Sequence, residues 1–210
     1  MLQVADFPIG PLETNCFVIH NDSEAVVVDP GGPPEPVIRY LDEKKLRLTH
    51  ILLTHMHFDH TCGVFALAKA TGARIMGSEQ DRYMLDTEFG RGGVWGLPVN
   101  EPFDFEPLEP GELPLLGATC KVLATPGHSP GSLSYYFADL GAVFSGDVLF
   151  YRSVGRTDFP KGSQPVLAES IRNELFPLPD QTVVYPGHGL ATTIGDEKRN
   201  NPYISDFSMI

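Results

Sequence analysis

The sequence has 210 residues, of which 42% are hydrophobic and 20% charged, a composition typical of a globular chain with one full-sized core rather than of a disordered protein. Its formal net charge of −12 argues against the basic surface that a nucleic-acid partner requires. The first ten residues lack the pattern of a secretion signal, no apolar run reaches the roughly 18 residues of a membrane span, and the cysteines (Cys16, Cys62 and Cys120) are widely spaced, so we expect a cytoplasmic protein with no membrane contact.

In the first half of the chain, short β-branched and apolar runs alternate with segments rich in helix-forming residues. We predict strands at residues 16–20, 25–28, 50–53 and 73–76, and helices at 36–45, 63–70 and 79–85. The second strand ends in Asp29-Pro-Gly-Gly, a strong turn signal, and the third runs directly into Thr54-His55. Residues 86–111 are full of Gly and Pro, which predicts an irregular excursion that forms either a pocket wall or a subunit contact.

The second half repeats this alternation. We predict strands at residues 113–116, 119–124, 133–137, 142–144 and 182–185, and helices at 163–175 and 193–199. Ser163 is a candidate N-cap for the first of these helices, with Pro165 tolerated in its first turn. With two similar halves and no linker between them, the pattern predicts a single α/β domain over residues 1–210, in which two sheets pack together with helices outside.

One short segment carries an unusual density of metal-ligand side chains. His55, His57, Asp59 and His60 occur within six residues, immediately after a predicted strand. Because alternate side chains of an extended segment point to the same side, His55 and His57 can hold one metal ion. The chain then turns into a helix, which directs Asp59 and His60 toward a second ion.

Further ligand-type residues follow three later predicted strands. His128, Asp147 and His188 each stand directly after a glycine, in Thr-Pro-Gly-His, Phe-Ser-Gly-Asp and Tyr-Pro-Gly-His. Glycine lets the backbone approach a crowded site. Three ligand-type residues in the same local setting are difficult to explain as core packing, so we predict that they complete the metal site.

The order His-x-His-x-Asp-His, then a lone His, a lone Asp and a last His, resembles the metallo-β-lactamase superfamily over essentially the whole chain. The resemblance implies a four-layer αββα sandwich. It also implies two divalent metal ions, with His55, His57 and His128 on the first, Asp59, His60 and His188 on the second, and Asp147 bridging them. Such ligands suit zinc, and also iron or manganese.

A narrower resemblance is to the short glyoxalase II type, which hydrolyses hydroxyacyl thioesters of glutathione. It rests on residues 12–16, 146–150, 155–160, 187–189 and 192–195, and on Asn201-Pro202. The long enzymes of that group carry a C-terminal helical domain with basic residues for glutathione, and we expect no such domain here. Arg156 matches a basic glutathione-contacting position of the long enzymes, whereas Asp158 does not match their aromatic one. We take Arg156 and Lys161 as candidate substrate-binding residues.

The resemblance implies hydrolysis of a thioester, first of all S-lactoylglutathione, by a metal-bound hydroxide that Asp59 orients. A thiolate leaves readily, since its parent thiol has a pKa near 8.5, so no protein general acid is required. The small-molecule thioester is the partner that we expect. The pattern does not fix the oligomeric state.

Other functions stay open at this point. Residues 155–159 also resemble persulfide dioxygenases, oxidoreductases that use one iron ion, and the fold also supports hydrolysis of other esters, lactones or amides. A β-lactamase, an RNA-processing nuclease and a flavo-diiron protein fit the sequence less well, as does a metal-binding protein without catalysis. Asp29 and Asn15 are candidates either for orienting a ligand or for capping a turn, whereas we expect structural roles for His20, His50 and Cys62.

Overall fold

Two six-stranded sheets, one from each half of the chain, form the centre of the computed structural model, which describes residues 1–94 and 96–204. The first sheet contains β1 (Gln3–Ile9), β2 (Thr14–His20), β3 (Glu24–Val28), β4 (Arg47–Leu52), β5 (Arg74–Gly77) and β6 (Glu106–Pro107), in that spatial order. The second contains β7 (Gly111–Leu115), β8 (Ala118–Ala124), β9 (Leu133–Phe137), β10 (Ala142–Gly146), β13 (Val183–Pro186) and β14 (Thr192–Thr193), in the order β14-β13-β10-β9-β8-β7. A small hairpin pairs β11 (Leu149–Phe150) with β12 (Ser153–Val154).

Helices accompany the two sheets. They are α1 (Glu35–Lys44), α2 (Phe58–Thr61), α3 (Val64–Thr71), α4 (Glu88–Arg91), α5 (Gln164–Ser170) and α6 (Ile194–Asn200), with 3₁₀ helices at Glu79–Asp86 and Ala138–Leu140 and a π-helical turn at Ile171–Leu175. Among the described residues, none of these helices has the length and hydrophobicity needed to cross a lipid bilayer. Helices α1, α3, α5 and α6 pack against the outer faces of the sheets.

The layering follows from the two-residue period of the strands. In β2, Phe17 and Ile19 point into a core shared by the two sheets, whereas Cys16 and Val18 point to the opposite face, where they pack with α1 and α3. In the second sheet, alternate residues such as Val143 pack outward against α5 and α6. The result is the single-domain αββα sandwich that the sequence predicts.

Several element predictions need correction. Strand β1 was not predicted, because its apolar residues alternate only in part and it contains Pro8, which this position at the edge of the sheet tolerates. The excursion at residues 86–111 contains α4 and β6. The helix predicted at 163–175 changes to a π-helical turn after Ser170, and Ser163 occupies its N-cap position without a capping hydrogen bond from the side chain.

Strand direction brings the ligand-bearing segments to one edge. Strands β10 and β13 are parallel, and β8 has the same direction because β9 is antiparallel to both β8 and β10. Their carboxyl ends therefore meet at the same edge of the second sheet. The first sheet joins this edge after β4, where the Leu133 amide donates to the Thr54 carbonyl (2.8 Å), and the Asn15 amide likewise donates to the Gly187 carbonyl (2.8 Å).

Candidate metal centre

Three buried histidines form the first cluster. His55 and His57 come from the loop after β4, and His128 from the loop after β8. One ring nitrogen from each lies within 4.8 Å of the others, and His57 Nδ1 and His128 Nε2 are 2.9 Å apart. These are the three residues that the resemblance assigns to the first metal ion.

The second cluster joins Asp59 and His60, at the start of α2, with His188 from the loop after β13. The Asp59 Oδ2 atom lies 3.1 Å from His188 Nε2 and 3.7 Å from His60 Nε2. The extended backbone of His57 is followed by the first turn of α2, which places the Asp59 carboxylate and the His60 imidazole next to His188.

The Asp147 carboxylate lies between the two clusters. Its Oδ1 atom is 3.4 Å from His60 Nε2, and its Oδ2 atom is 3.7 Å from His128 Nε2 and 3.8 Å from His188 Nε2. One carboxylate thus faces ligand nitrogens of both clusters, which is the placement that a bridging ligand requires.

Unsatisfied polar atoms test whether these residues fit a metal. Among the described residues, His55 Nε2, His60 Nε2 and Asp147 Oδ1 are buried and lack a hydrogen-bond partner. Leaving such an atom unsatisfied costs about 1–3 kcal/mol. A divalent cation on these atoms removes the cost, and imidazole with carboxylate is a donor set for zinc, iron or manganese. The residues therefore fit divalent metal ions.

The electrostatics of the first cluster favour neutral imidazoles. Burial, together with the neighbouring histidines, lowers the pKa of His55 well below its ordinary value, and burial and His128 lower the pKa of His57 to about 3. A histidine ligates a metal through an unprotonated nitrogen. These two side chains are therefore ready to bind a cation at neutral pH.

In the second cluster, neighbouring groups of opposite charge have a larger effect on the pKa values than burial has. Burial lowers the pKa of His60, but the carboxylates of Asp147, Asp59 and Asp29 raise it well above its ordinary value. Burial raises the pKa of Asp147, yet His60 and the other histidines hold it below the usual carboxyl range. The carboxylates are consequently ionised at neutral pH and attract a cation.

Asp29 orients the imidazole of His60 through the Nδ1 atom of the ring. Its Oδ2 atom accepts hydrogen bonds from His60 Nδ1 (2.8 Å) and Thr54 Oγ1 (2.6 Å), and its Oδ1 atom accepts from the Thr54 amide (2.8 Å). A proton on His60 Nδ1 leaves the Nε2 lone pair for the metal. Asp29, His55 and His60 also form a third group of ligand-type atoms, but hydrogen bonds already engage Asp29, so we assign it the orienting role.

Two further contacts hold the histidine-bearing loops. His128 Nδ1 lies 2.7 Å from the Arg156 carbonyl and donates a hydrogen bond to it, which leaves Nε2 unprotonated on the side of His57. Asn15 Nδ2 donates to the carbonyls of Pro186 (3.0 Å) and Gly189 (2.9 Å), on either side of His188. Asn15 therefore fixes the loop of His188 rather than capping a turn.

Asp81, which is fully buried, was not among the residues predicted from the sequence. Its carboxylate accepts hydrogen bonds from Ser129 Oγ (2.6 Å) and the Gly131 amide (2.7 Å). Ser129 follows His128, so this carboxylate holds the loop that carries one ligand of the first cluster. A signal was present, because Asp81 and Met84 share the face of the 3₁₀ helix that packs inward.

The two clusters open onto one cavity of about 560 Å³. Five of the seven predicted ligands line it: His57, Asp59, His128, Asp147 and His188. Arg156, a candidate substrate-binding residue, also lines it. The structure does not bring Lys161 into this lining, because its ammonium group lies over the ring of Tyr83, 3.4 Å from the centroid.

The residues for which we expected structural roles lie apart from the clusters. His20 bonds to the Tyr40 hydroxyl (2.8 Å), and His50 to the Thr49 hydroxyl (3.0 Å). Cys62 is half-buried and lines a separate hollow beside Pro33. None of the three belongs to a group of metal-ligand atoms among the residues that the structure describes.

Comparison with known proteins places this geometry in a family. The chain is 37% identical to hydroxyacylglutathione hydrolase GloC of Haemophilus influenzae, over 99% of this chain and 100% of that protein. It is also 37% identical to the probable metallo-hydrolase YqgX of Bacillus subtilis, over 96% of this chain and 97% of that protein. Both relatives match nearly from end to end.

Solved structures agree with the fold. The BLEG-1 B3 metallo-beta-lactamase superposes with a TM-score of 0.89 at 40% identity, covering 96% of this chain and 99% of that one. TTHA1623 in a di-iron-bound form gives 0.86 at 37% identity, covering 95% and 100%. ETHE1 from Myxococcus xanthus gives 0.74 at 34% identity, covering 95% and 83%. The family model of the metallo-beta-lactamase superfamily matches residues 9–188, a span that includes both ligand clusters, and the chain therefore belongs to this superfamily.

Proposed function

We propose that this protein is a metal-dependent thioester hydrolase, with hydroxyacyl thioesters of glutathione as the first substrates to test. One observation carries the proposal: Asp147 lies between two complete ligand clusters, and both clusters open onto a single cavity large enough for a small molecule. The end-to-end similarity to a hydroxyacylglutathione hydrolase supports the choice of substrate.

The chain's own residues would hold the metals and position the reactants. His55, His57 and His128 would hold one ion, and Asp59, His60 and His188 the other, with Asp147 shared. When bound, such ions supply a water molecule of lowered pKa and polarise the substrate carbonyl. Asp59 lines the cavity and is ionised, since His60 and His188 outweigh burial and lower its pKa.

Hydrolysis of a thioester needs little else from the protein. Water adds its oxygen to the acyl carbon, the C–S bond breaks, and the products are a carboxylate and a thiol. Thiolate is a good leaving group, because thiols have a pKa near 8.5. The cavity lining accordingly needs no separate general acid, and Asp59 serves to hold and orient the attacking water.

Two other activities have observations behind them. The Gly155–Phe159 segment resembles persulfide dioxygenases, but such an enzyme needs one iron ion and leaves the cluster of Asp59, His60 and His188 without a use. Because the chain is similar to a B3 metallo-beta-lactamase, hydrolysis of a β-lactam is the second alternative to test. The experiment below distinguishes both alternatives from thioester hydrolysis.

The deciding measurement is hydrolysis of S-D-lactoylglutathione by the purified protein after loading with zinc, iron or manganese. We expect a kcat/KM in the ordinary enzymatic range of about 10⁴–10⁸ M⁻¹s⁻¹ with at least one of the metals. Asp59→Ala is expected to abolish turnover, whereas Glu106→Gln, which alters an exposed carboxylate paired with Arg74, is not. Absence of turnover with all three metals rejects the proposal, and oxygen uptake with glutathione persulfide or cleavage of a β-lactam then identifies the alternative.

A further inference from the structure

The walls of the cavity are mainly apolar. The apolar residues that line it are Leu12, Phe58, Phe89, Val94, Leu97, Phe150, Val154 and Phe159. Phe159 packs against the ring of His57, with centroids 4.8 Å apart, so the apolar wall reaches the first cluster. A group that enters this cavity beside the metal ligands therefore contacts hydrocarbon over most of its surface.

Positive charge in the cavity is scarce. Arg156 is the one lysine or arginine among the lining residues that the structure describes, and Glu88 adds a carboxylate to the same lining. Glutathione carries two carboxylates and one ammonium group. Recognition of its carboxylates at this site depends on Arg156.

The guanidinium of Arg156 is already engaged. Its Nε atom donates a hydrogen bond to Asp158 Oδ1 and its Nη2 atom donates one to Asp158 Oδ2, each of 2.7 Å, and its Cζ atom lies 4.2 Å from the centroid of the Phe159 ring. This two-point contact is the geometry by which an arginine binds any carboxylate. The ion pair also lowers the pKa of Asp158 to about 2, so the carboxylate stays ionised at neutral pH.

We propose that Asp158 is a specificity-determining residue that occupies Arg156 and so directs the enzyme toward thioesters whose thiol part carries no carboxylate. The inference rests on the proposed thioesterase function and narrows its substrate class. For the same acyl group, a thioester of an uncharged, apolar thiol is preferred over a thioester of glutathione. A substrate carboxylate has to displace Asp158 before it can make the same two-point contact with Nε and Nη2 of Arg156.

The expected gain in carboxylate binding can be estimated from the solvent exposure of the Arg156–Asp158 ion pair. The side chains of Arg156 and Asp158 are 60% and 65% exposed, and ion pairs at such positions are weak. Freeing Arg156 should therefore improve binding of a carboxylate ligand about two- to five-fold. The gain should appear in KM, because Arg156 lies on the cavity wall and not among the metal ligands.

The test compares two lactoyl thioesters, one of glutathione and one of the uncharged thiol N-acetylcysteamine, with metal-loaded protein. We expect Asp158→Asn to raise the ratio of kcat/KM for the glutathione substrate to that for the N-acetylcysteamine substrate about two- to five-fold. Glu106→Gln changes the net charge equally at an exposed pair outside the cavity, and it should leave this ratio unchanged. The double variant Arg156→Gln/Asp158→Asn should lose the gain, since the gain acts through Arg156.

A ligand that cannot be hydrolysed gives a readout independent of turnover. The Kd of S-hexylglutathione, measured by calorimetry with metal-loaded protein, should fall about two- to five-fold in Asp158→Asn. An unchanged Kd, or a gain that persists without Arg156, overturns the inference even if both thioesters are hydrolysed. If neither thioester is hydrolysed, the thioesterase proposal fails, while the calorimetric result still decides the role of Asp158.

Discussion

Replacing Asp29 by asparagine is a direct test of how His60 is held. The Asp29 side chain is buried, and both of its oxygens accept hydrogen bonds, from the Thr54 amide on one side and from His60 Nδ1 and Thr54 Oγ1 on the other. Asparagine has nearly the same shape but only one acceptor oxygen. Whichever way the amide is placed, its NH₂ group faces either the Thr54 amide or His60 Nδ1, and both of these are donors.

The magnitude can be estimated from these contacts. If the NH₂ group faces His60, the proton moves from Nδ1 to Nε2, and the nitrogen that faces Asp59 and Asp147 can no longer ligate a metal. Loss of such a supporting partner typically lowers metal affinity about 10- to 100-fold, which corresponds to about 1.4–2.7 kcal/mol. If the NH₂ group faces the Thr54 amide instead, that amide becomes an unsatisfied donor, which lowers the free energy of unfolding of the metal-free protein by about 1–3 kcal/mol.

Zinc competition with a chromophoric chelator measures the affinity, and urea unfolding of the metal-free protein measures the stability. We expect Asp29→Asn to weaken one of two zinc sites and to leave the site of His55, His57 and His128 close to its original affinity. Asp22→Asn, at an exposed position, is the control for the change in charge. Equal weakening of both sites, or no change in either, would refute the idea that Asp29 acts through His60.

Three other changes probe the supports of the site. Gly187→Ala places a Cβ in collision with Asp147 Oδ1, so we expect a lower metal content by elemental analysis, whereas Gly72→Ala, which strains the backbone at a φ of 72° but places its Cβ in open space, should retain its metal. Asp81→Asn removes one of the two acceptor oxygens that hold the loop of His128, and zinc affinity by chelator competition should fall about 10-fold. Burial lowers the pKa of His57 to about 3, so the metal-free protein should lose stability as the pH falls from 6.5 toward 3, by up to about 1.4 kcal/mol per pH unit, and His57→Asn should flatten this dependence in urea unfolding.

The ligand residues were predictable because their signal is local. His55, His57, Asp59 and His60 lie within six residues, and the alternation of an extended segment followed by a helical turn is enough to divide them between two clusters. Most helices and strands were also predictable from short-range periodicity, whereas α4 and β1, the latter with its broken alternation and Pro8, were not.

The supporting residues depend on contacts between distant segments. Asp29 is 25 positions from Thr54 and 31 from His60, so the sequence left its role open between a turn cap and an orienting partner. Asp81 contacts Ser129, 48 positions away. Without knowledge of that contact, a carboxylate in a short polar helix is expected at the surface. Lys161 was a candidate substrate-binding residue, but its backbone has a φ of 67° and its side chain lies over Tyr83 instead.

The difference between local sequence signals and contacts between distant segments also explains why the chemistry of the site is easier to infer than its substrate. Both ligand clusters follow from residues at strand ends, and hydrolysis of a thioester or of a β-lactam can use the same set. Selectivity depends instead on the wall, where Phe159 packs against His57 and where Asp158 determines whether Arg156 is free. Changes to the ligands therefore test whether the protein is a metalloenzyme, whereas changes to Arg156 and Asp158 test which substrate it takes.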